Sequence, residues 1–159
     1  MKKIAQFFKV DENEYLKSGS LNDYNDVVLP KRATKGSAGY DFFSPIEFTL
    51  APNQEIKVAT GIRVKIDEGW VLKIYPRSSL GFKYRLTLNN TVGIIDSDYY
   101  YADNQGHIFI KVTNLGNTTL TVEKGKAFAQ GIFLEYGITV DDECENVRTG
   151  GIGSTDAKN

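Results

Sequence analysis

The segment Tyr75–Lys83 combines residue types that bind anions. It overlaps the end of an apolar run, Trp70–Tyr75, which is typical of a buried strand, and Pro76 ends the backbone ladder there because it has no N–H to donate. A short helical turn can begin at Ser78, and the first amides of such a turn have no intrahelical acceptor, so they and the serine hydroxyls suit a phosphate. Arg77 adds a planar pair of donors that matches phosphate oxygens. Alone, the segment fits either a phosphate cradle or an ordinary capped loop with a solvated arginine.

A second candidate site lies within Asn89–Tyr99. Ile94 and Ile95 are apolar and would anchor a strand or hairpin, and Asp96 follows at a point where a strand can direct a carboxylate into a cleft. A carboxylate is a weak base, but it can orient and deprotonate a water held at hydrogen-bond distance. The alternative interpretation is a turn capped by the aspartate, followed by Tyr99 as a half-buried strand aromatic.

The composition limits the class of protein. A chain of 159 residues is long enough for one domain with its own core. Its 19 basic and 20 acidic side chains nearly cancel, so the net charge does not attract nucleic acid or membranes. The one cysteine, Cys144, cannot form an intrachain disulfide, and one cysteine with one histidine excludes a Cys/His zinc site. No apolar run is long enough to span a bilayer. We therefore expect a cytoplasmic protein that binds neither nucleic acid nor membranes.

Alternation of apolar and polar residues predicts strands through most of the chain. Clear examples are residues 62–66 and 108–112, and residues 127–134 form a mostly apolar run. Turn-forming clusters separate these runs, and no long segment has the spacing of an amphipathic helix. The prediction is an all-β sandwich or barrel in a single domain, residues 1–146. The glycine-rich tail, residues 147–159, has too few apolar side chains to hold itself in place, which predicts a flexible arm.

Five short segments, in order, resemble the five motifs of trimeric dUTP pyrophosphatases (dUTPases). They are Ala38–Asp41, Pro76–Gly81, Gly93–Tyr99, Gly125–Gln130 and Arg148–Thr155. One such segment is weakly specific, whereas five in the family's order over a predicted all-β chain are strongly specific. The resemblance implies a jelly-roll-like β-barrel and a homotrimer whose three active sites are each built from several subunits. It further implies hydrolysis of dUTP to dUMP and pyrophosphate by water attack on the α phosphorus, with Mg²⁺ held mainly by the triphosphate and water. Such an enzyme keeps uracil out of DNA and supplies dUMP for thymidylate synthesis.

The resemblance also implies roles for the residues that match the motifs. Asp96 would activate the attacking water, and Asp41 would lie near the metal's water shell and assist catalysis together with Arg77 and Gln130. The residues implied to contact phosphates or to fold over the triphosphate are Arg77, Ser78, Ser79, Gly81, Gln130, Arg148, Gly151, Ser154 and Thr155. The residues implied to contact the nucleoside are Asn90, Gly93, Ile95 and Tyr99, of which Tyr99 would pack beneath deoxyribose and leave no room for a 2′-hydroxyl.

Three positions depart from the family's pattern. Ile152 stands where an aromatic residue usually stacks on uracil, so we expect weaker clamping of the base with the chemistry retained. Ala127 stands where an arginine is common, and Lys126 is its possible substitute. The stretch Tyr100–Gln105 lengthens the turn after the third motif and could alter the threefold contact or a partner surface.

Two alternatives remain open at this point. A dCTP deaminase of the same fold would need a glutamate where Lys111 stands, and a nonenzymatic regulator of the same fold would use nucleotide only to control a partner surface. Outside the motifs, His107 is predicted to be a surface or cross-strand residue, and residues 141–143 a solvated acidic turn instead of a metal site.

Overall fold

A computed structural model describes residues 1–151 of the chain, and β-strands dominate this part. The strands are β1 Ala5–Lys9, β2 Lys31–Arg32, β3 Tyr40–Phe43, β4 Phe48–Leu50, β5 Glu55–Ala59, β6 Ile62–Ile66, β7 Trp70–Pro76, β8 Leu86–Leu88, β9 Gly93–Ile95, β10 Phe109–Asn114, β11 Leu120–Val122 and β12 Ala127–Glu135. The helices are α1 Glu12–Tyr15, α2 Leu21–Asn25, α3 Ser78–Tyr84 and a 3-10 helix, Ser97–Tyr101. The all-β prediction is therefore confirmed.

The strands pair antiparallel and across long stretches of sequence. A five-stranded sheet has the order β2-β3-β12-β7-β9, a three-stranded sheet has the order β5-β10-β8, and two further pairs are β1-β6 and β4-β11. Two of the four neighbouring pairs in the large sheet join distant parts of the chain, since β12 pairs with both β3 and β7. The result is the expected jelly-roll-like architecture. Within residues 1–151, no helix combines the length and the apolarity needed to cross a membrane.

The predicted alternation of apolar and polar residues determines which side chains form the core. In β6, Ile62, Val64 and Ile66 are buried, whereas Lys65 between them is exposed. The same alternation buries apolar residues of β10. Each such side chain contributes about 1.5 to 3 kcal/mol by leaving water, so a one-residue register slip would be costly. This burial fixes the register from which the site residues emerge.

His107 is not a surface residue, because its side chain is fully buried. It lies between the rings of Tyr15 and Phe109, at centroid distances of 5.9 and 4.3 Å. Its Nε2 accepts the N–H of Gly61 at 2.9 Å, so the proton of the neutral ring is on Nδ1. Burial lowers the pKa of His107 to about 4. Tyr15, which belongs to α1, covers the imidazole, and the local alternation around the histidine carries no signal of that long-range contact.

The buried imidazole predicts an acid-sensitive fold. The folded chain disfavours the charged ring, so its stabilising effect is complete above the ordinary histidine pKa near 6.5 and is lost as the pH falls through about 4. The loss amounts to about 3 kcal/mol. In urea titrations from pH 7 to pH 4, we expect the free energy of unfolding to fall more steeply for the natural chain than for His107→Gln. Glutamine keeps an acceptor for the Gly61 N–H but does not titrate, and carboxylates affect both chains equally. Parallel pH profiles would contradict this expectation.

Candidate functional site

Three adjacent strands bring together Asp41, Gln130 and Arg77. Gln130 in β12 stands opposite Asp41 in β3 on one side and opposite Tyr75 in β7 on the other. Residues directly opposite in an antiparallel pair point to the same face of the sheet. Arg77 follows the last residue of β7, so its side chain reaches the same edge. A cleft forms here, which we call the Arg77 cleft, and its lining residues are Ala33, Ser37, Gly39, Asp41, Arg77, Ser78, Ser79 and Gln130.

Arg77 and Asp41 form a two-pronged ion pair. Nε of Arg77 donates to Oδ1 of Asp41 at 3.2 Å, and Nη2 donates to Oδ2 at 3.4 Å. The aspartate side chain is 17% exposed and the arginine side chain is 42% exposed. The pair uses only part of the guanidinium's donor set. The arginine is therefore aimed by the carboxylate and still accessible to another acceptor from the cleft.

The amide of Gln130 has a fixed orientation. Its Nε2 donates to the carbonyl oxygen of Pro76 at 3.1 Å, and a carbonyl can only accept, so Oε1 points the other way, toward Gly39. A Cβ on Gly39 would lie 2.6 Å from that Oε1. A side chain at position 39 would therefore displace the glutamine oxygen from its present position.

Helix α3 begins at Ser78, as the sequence predicts. The first intrahelical bonds run from the N–H groups of Leu80 and Gly81 to the carbonyl oxygen of Arg77, at 3.1 and 3.0 Å. The amides of Ser78 and Ser79 precede these bonds and lie at the cleft, where an anion can accept from them. Gly81, which was predicted as a phosphate contact, does not line this cleft, and its N–H is engaged inside the helix.

A second cleft surrounds Asp96. We call it the Asp96 cleft, and its lining residues are Asn90, Val92, Ile94, Ile95, Asp96, Tyr99, Ile108, Phe109 and Arg148. The segment before Asp96 crosses between two sheets and is not a hairpin ladder, because β8 pairs with β10 whereas β9 pairs with β7. Gly93 does not line the cleft. It lets β9 approach β7, since a Cβ there would lie 2.9 Å from the Cβ of Ile74.

The carboxylate of Asp96 is available for chemistry and does not cap a turn. Asp96 occupies the N-cap position of the 3-10 helix, but its side chain makes no capping hydrogen bond. It accepts instead from Nη2 of Arg148 at 2.8 Å, and the same arginine donates through Nε to Asp98 at 2.9 Å. The Asp96 side chain is 47% exposed. An accessible carboxylate at the rim of an apolar cleft can hold a water.

Tyr99 is buried, and its ring forms part of the wall of the Asp96 cleft. Its hydroxyl donates to the carbonyl oxygen of His107 at 2.6 Å and accepts from Nδ2 of Asn104 at 2.9 Å. Burial raises the pKa of Tyr99, so the phenol stays protonated and remains a donor. The residue lies in the 3-10 helix and not in a strand, which removes the strand-aromatic alternative.

The first residues of the glycine-rich tail lie against the Asp96 cleft of their own chain. Besides the contacts of Arg148, the carbonyl oxygen of Thr149 accepts the N–H of Asp103 at 3.2 Å. Gly151 packs beside Asn104, where a Cβ would lie 3.1 Å from Nδ2. The predicted site residues Ile152, Ser154 and Thr155 fall outside the described residues.

The two clefts lie at opposite ends of β7. Ile95 pairs with Leu72, which places Asp96 beside Val71, whereas Arg77 follows the far end of the same strand. The six residue steps from Val71 to Arg77 span about 20 Å of extended chain. A phosphate held by Arg77 is therefore far from a water held by Asp96 of the same chain.

Sequence reasoning missed some lining residues of both clefts. Gly39 stands within the first motif segment, so closer attention to that segment would have found it, whereas Val92 and Ile94 belong to the range 90–95 implied to read the base. Ala33 and Ser37 in the Arg77 cleft and Ile108 and Phe109 in the Asp96 cleft come from other parts of the chain, and no local signal marks them. Within residues 1–151, no group of three or more His, Cys, Asp or Glu side chains is placed to hold a metal ion by itself.

Comparisons with known proteins identify the family to which the chain is similar. A family profile described as dUTPase matches residues 25–156. The chain is 40% identical to the deoxyuridine 5'-triphosphate nucleotidohydrolase of Lactococcus lactis over 134 residues, which cover 82% of this chain and 89% of that protein. Among solved structures it is similar to the dUTPase from Streptococcus mutans, with a TM-score of 0.67 and 31% identity over 84% of this chain and 97% of the other. It shares its fold with the dUTPase of Staphylococcus bacteriophage 80alpha, solved with dUPNHPP, with a TM-score of 0.68 and 21% identity over 96% of this chain and 98% of the other.

The Arg77 cleft predicts a local polyanion site that can be tested without turnover. We expect Arg77→Ala to weaken the binding of inorganic pyrophosphate by about tenfold to a hundredfold, because charged hydrogen bonds are lost and Asp41 is left without its partner. Isothermal titration calorimetry measures this directly. Lys83→Ala is the matched control, since it removes the same charge from an exposed position on α3. Equal weakening by both substitutions would show that only net charge matters.

Proposed function

The chain belongs to the dUTPase family and is a hydrolase that converts dUTP to dUMP, and we propose that it does so by water attack on the α phosphorus, which releases pyrophosphate. The proposal rests on the difference in lining chemistry between the two clefts. The Arg77 cleft presents donors for phosphate oxygens, whereas the Asp96 cleft combines apolar walls with a half-exposed carboxylate. A nucleotide likewise combines charged phosphates with an uncharged nucleoside.

In the proposal, the triphosphate lies in the Arg77 cleft. Arg77, the hydroxyls and amides of Ser78 and Ser79, and the remaining N–H of Gln130 donate to phosphate oxygens. Phosphoanhydride hydrolysis depends on positioning and on stabilising the charge that develops on those oxygens, and each well-placed donor can contribute about 3 to 4 kcal/mol. The ion pair with Asp41 supports this role, because it holds the guanidinium in place before substrate arrives.

The deoxyribose and base lie in the Asp96 cleft. Tyr99 packs beneath the sugar, and the backbone around Asn90 and Ile95 reads the uracil edge, while Gly93 holds β9 close to β7. Tyr99 is buried, lines this cleft and is held by its hydroxyl, and a fixed ring at this position supports exclusion of a 2′-hydroxyl.

Asp96 orients the attacking water and takes its proton. Its present partner, Arg148, donates to Oδ2 and so partly neutralises the carboxylate, which makes Asp96 a weaker base until the arginine leaves. Incoming phosphates compete for the same guanidinium, so we propose that Arg148 transfers from Asp96 to the triphosphate when substrate binds. This exchange removes the ion pair from Asp96, the general base, only when bound substrate presents the α phosphorus that the water attacks. Gly151, Ile152, Ser154 and Thr155 follow Arg148 in the chain and are proposed to fold over the triphosphate with it.

The residues present fit Mg²⁺ bound through the substrate. Asp41 offers a carboxylate beside the phosphate donors, but Arg77 contacts both of its oxygens, which suits an outer contact through water more than direct coordination. When bound to the triphosphate, Mg²⁺ neutralises phosphate charge and helps to fix its geometry. Asp41 would orient the metal's water shell while it continues to aim Arg77.

A complete site requires more than one chain. On a single chain, about 20 Å of β7 separates Asp96 from Arg77, whereas a base must lie within hydrogen-bond reach of the water it activates. We propose a homotrimer in which the Arg77 cleft of one subunit faces the Asp96 cleft of its neighbour. We also propose a cytoplasmic location, because deoxynucleotides are made and used there and the exposed thiol of Cys144 suits reducing conditions.

The described residues give no support to the two alternatives. Lys111, which stands where a deaminase would need a glutamate, is exposed, is paired with Glu55 at 2.7 Å and does not line the Asp96 cleft. The Tyr100–Gln105 turn, on which the regulatory alternative depends, packs on its own chain. Its Gln105 exchanges two hydrogen bonds with Asp11, at 2.9 and 3.0 Å.

Replacing the proposed base tests the mechanism. We expect Asp96→Asn to reduce pyrophosphate release from dUTP by at least about a hundredfold, because the amide cannot take a proton, while dUTP affinity changes little. Pyrophosphate and ammonia release should be followed with dUTP, dCTP and UTP, and affinity by calorimetry. Asp98→Asn is the matched control, since it also removes a carboxylate partner of Arg148. Unchanged turnover in Asp96→Asn would refute the assignment, and ammonia release from dCTP would favour the deaminase.

Subunit mixing tests whether sites are shared. Asp96→Asn chains and Arg77→Ala chains should each be nearly inactive alone, but their co-refolded mixture should regain about one quarter of the natural activity, since a site can draw an intact Arg77 and an intact Asp96 from different subunits. A mixture of either variant with the double variant serves as the control and should regain none. If equal mixing of the two single variants restores no dUTP turnover in verified mixed trimers, each site lies within one chain.

A further inference from the structure

We propose that Asn104, in the lengthened turn after the third motif, is a positioning residue that sets sugar selectivity by fixing the ring of Tyr99. The inference rests on the proposed function, because it takes the Asp96 cleft as the nucleoside site. Asn104 does not line that cleft. It acts through the hydroxyl of the tyrosine, with which it shares a hydrogen bond.

The hydroxyl of Tyr99 is held from two directions. It donates to the carbonyl oxygen of His107 at 2.6 Å and accepts from Nδ2 of Asn104 at 2.9 Å. A buried phenol oxygen that uses both its donor and its acceptor capacity cannot shift without losing a bond. The tip of the ring is therefore fixed while its face forms part of the cleft wall.

The direction of this chain of bonds follows from the backbone. Oδ1 of Asn104 accepts the N–H of Gly106 at 3.1 Å, and a backbone N–H can only donate. The amide must therefore turn Nδ2 toward Tyr99. The phenol then accepts from the asparagine and donates its own proton to the backbone carbonyl oxygen of His107. Bonds aligned in one direction strengthen one another.

The turn itself has little freedom to release Asn104. Gln105 and Gly106 both adopt left-handed backbone, with φ of 60° and 70°. A Cβ at Gly106 would lie 2.6 Å from the carbonyl oxygen of Tyr99, so the turn closes directly onto the residue it holds. The side chain of Gln105 ties the turn to Asp11. Asn104 is thus a rigid support and not a solvated loop residue.

Loss of this support would affect sugar choice more than chemistry. With one restraint gone, the ring can tilt away from the cleft and make room for a 2′-hydroxyl. An apolar wall rejects an added hydroxyl by about a hundredfold at best, so a loosened wall should lose about tenfold of that discrimination. The substitution leaves Asp96 and the phosphate donors of the Arg77 cleft unchanged, so KM for dUTP should rise by a larger factor than kcat falls.

A double-mutant cycle tests the inference. Asn104→Ala and Tyr99→Phe are made singly and together, and the dUTP to UTP ratio of kcat/KM is measured for each. If Asn104 acts through the phenol, each single variant loses about tenfold of the discrimination and the double variant loses no more than either. Asn117→Ala, an exposed turn asparagine, is the matched control and should keep the natural ratio.

Two results would overturn the inference. One is an unchanged ratio in Asn104→Ala, and the other is an equal further loss when Asn104→Ala is added to Tyr99→Phe, which would show that the residue only stabilises the turn. Should Asn104→Ala not fold, Asn104→Asp replaces it in the cycle, because the carboxylate keeps an acceptor for the Gly106 N–H but cannot donate to the phenol.

A binding measurement separates failure of the inference from failure of the proposed function. The affinities of dUMP and UMP are measured for the same variants by calorimetry. A natural chain that prefers dUMP but does not turn over dUTP refutes the hydrolase assignment, and the cycle is then scored on the two affinities. A natural chain with no preference between dUMP and UMP overturns the assignment of the Asp96 cleft and the inference together.

Discussion

Strand β7 is hydrogen-bonded along both edges, to β12 and to β9, and this double pairing determines where the two clefts lie. The ladder with β12 sets Gln130 beside the end of β7 from which Arg77 emerges, and the ladder with β9 sets Asp96 near its beginning. The strand buries Leu72 and Ile74 in the core, so its register cannot slip without exposing them. Both clefts thus inherit their positions from one buried strand.

The charged groups of both clefts are paired within the chain. Asp41 is matched by Arg77, and Asp96 by Arg148, each at hydrogen-bond distance. The two pairs differ in purpose. The first lies between rigid elements and fixes a phosphate-binding group, whereas the second joins a strand end to the glycine-rich tail and is exchanged in the proposed mechanism. Partly exposed ion pairs contribute little to stability, about 0 to 1 kcal/mol, so a triphosphate can compete for Arg148 at low cost.

Local patterns in the sequence predicted those structural features that are determined by residues close together in the chain. The apolar strand, the proline and the helical turn place Arg77, Ser78 and Ser79 within a short stretch, and alternation gave the fold class. The pairing of Asp41 with Arg77 depends on register between distant strands, which no single-sequence pattern contains, although the motif resemblance grouped these residues. His107 was misjudged because its burial comes from Tyr15, far away in the chain. The contribution of Asn104 was missed for a similar reason, since its side-chain contacts become visible only when the turn is folded.

The length of β7 has a genetic consequence. If substrate bridges two subunits, a chain that assembles normally but carries defects in both clefts damages more than one site of its assembly. Such an allele would act as a dominant negative, because it inactivates sites to which intact chains also contribute. An allele that prevents folding removes only its own product and would be recessive. The severity of a mutation in this gene would therefore depend on whether the altered chain can still assemble, as well as on which residue is lost.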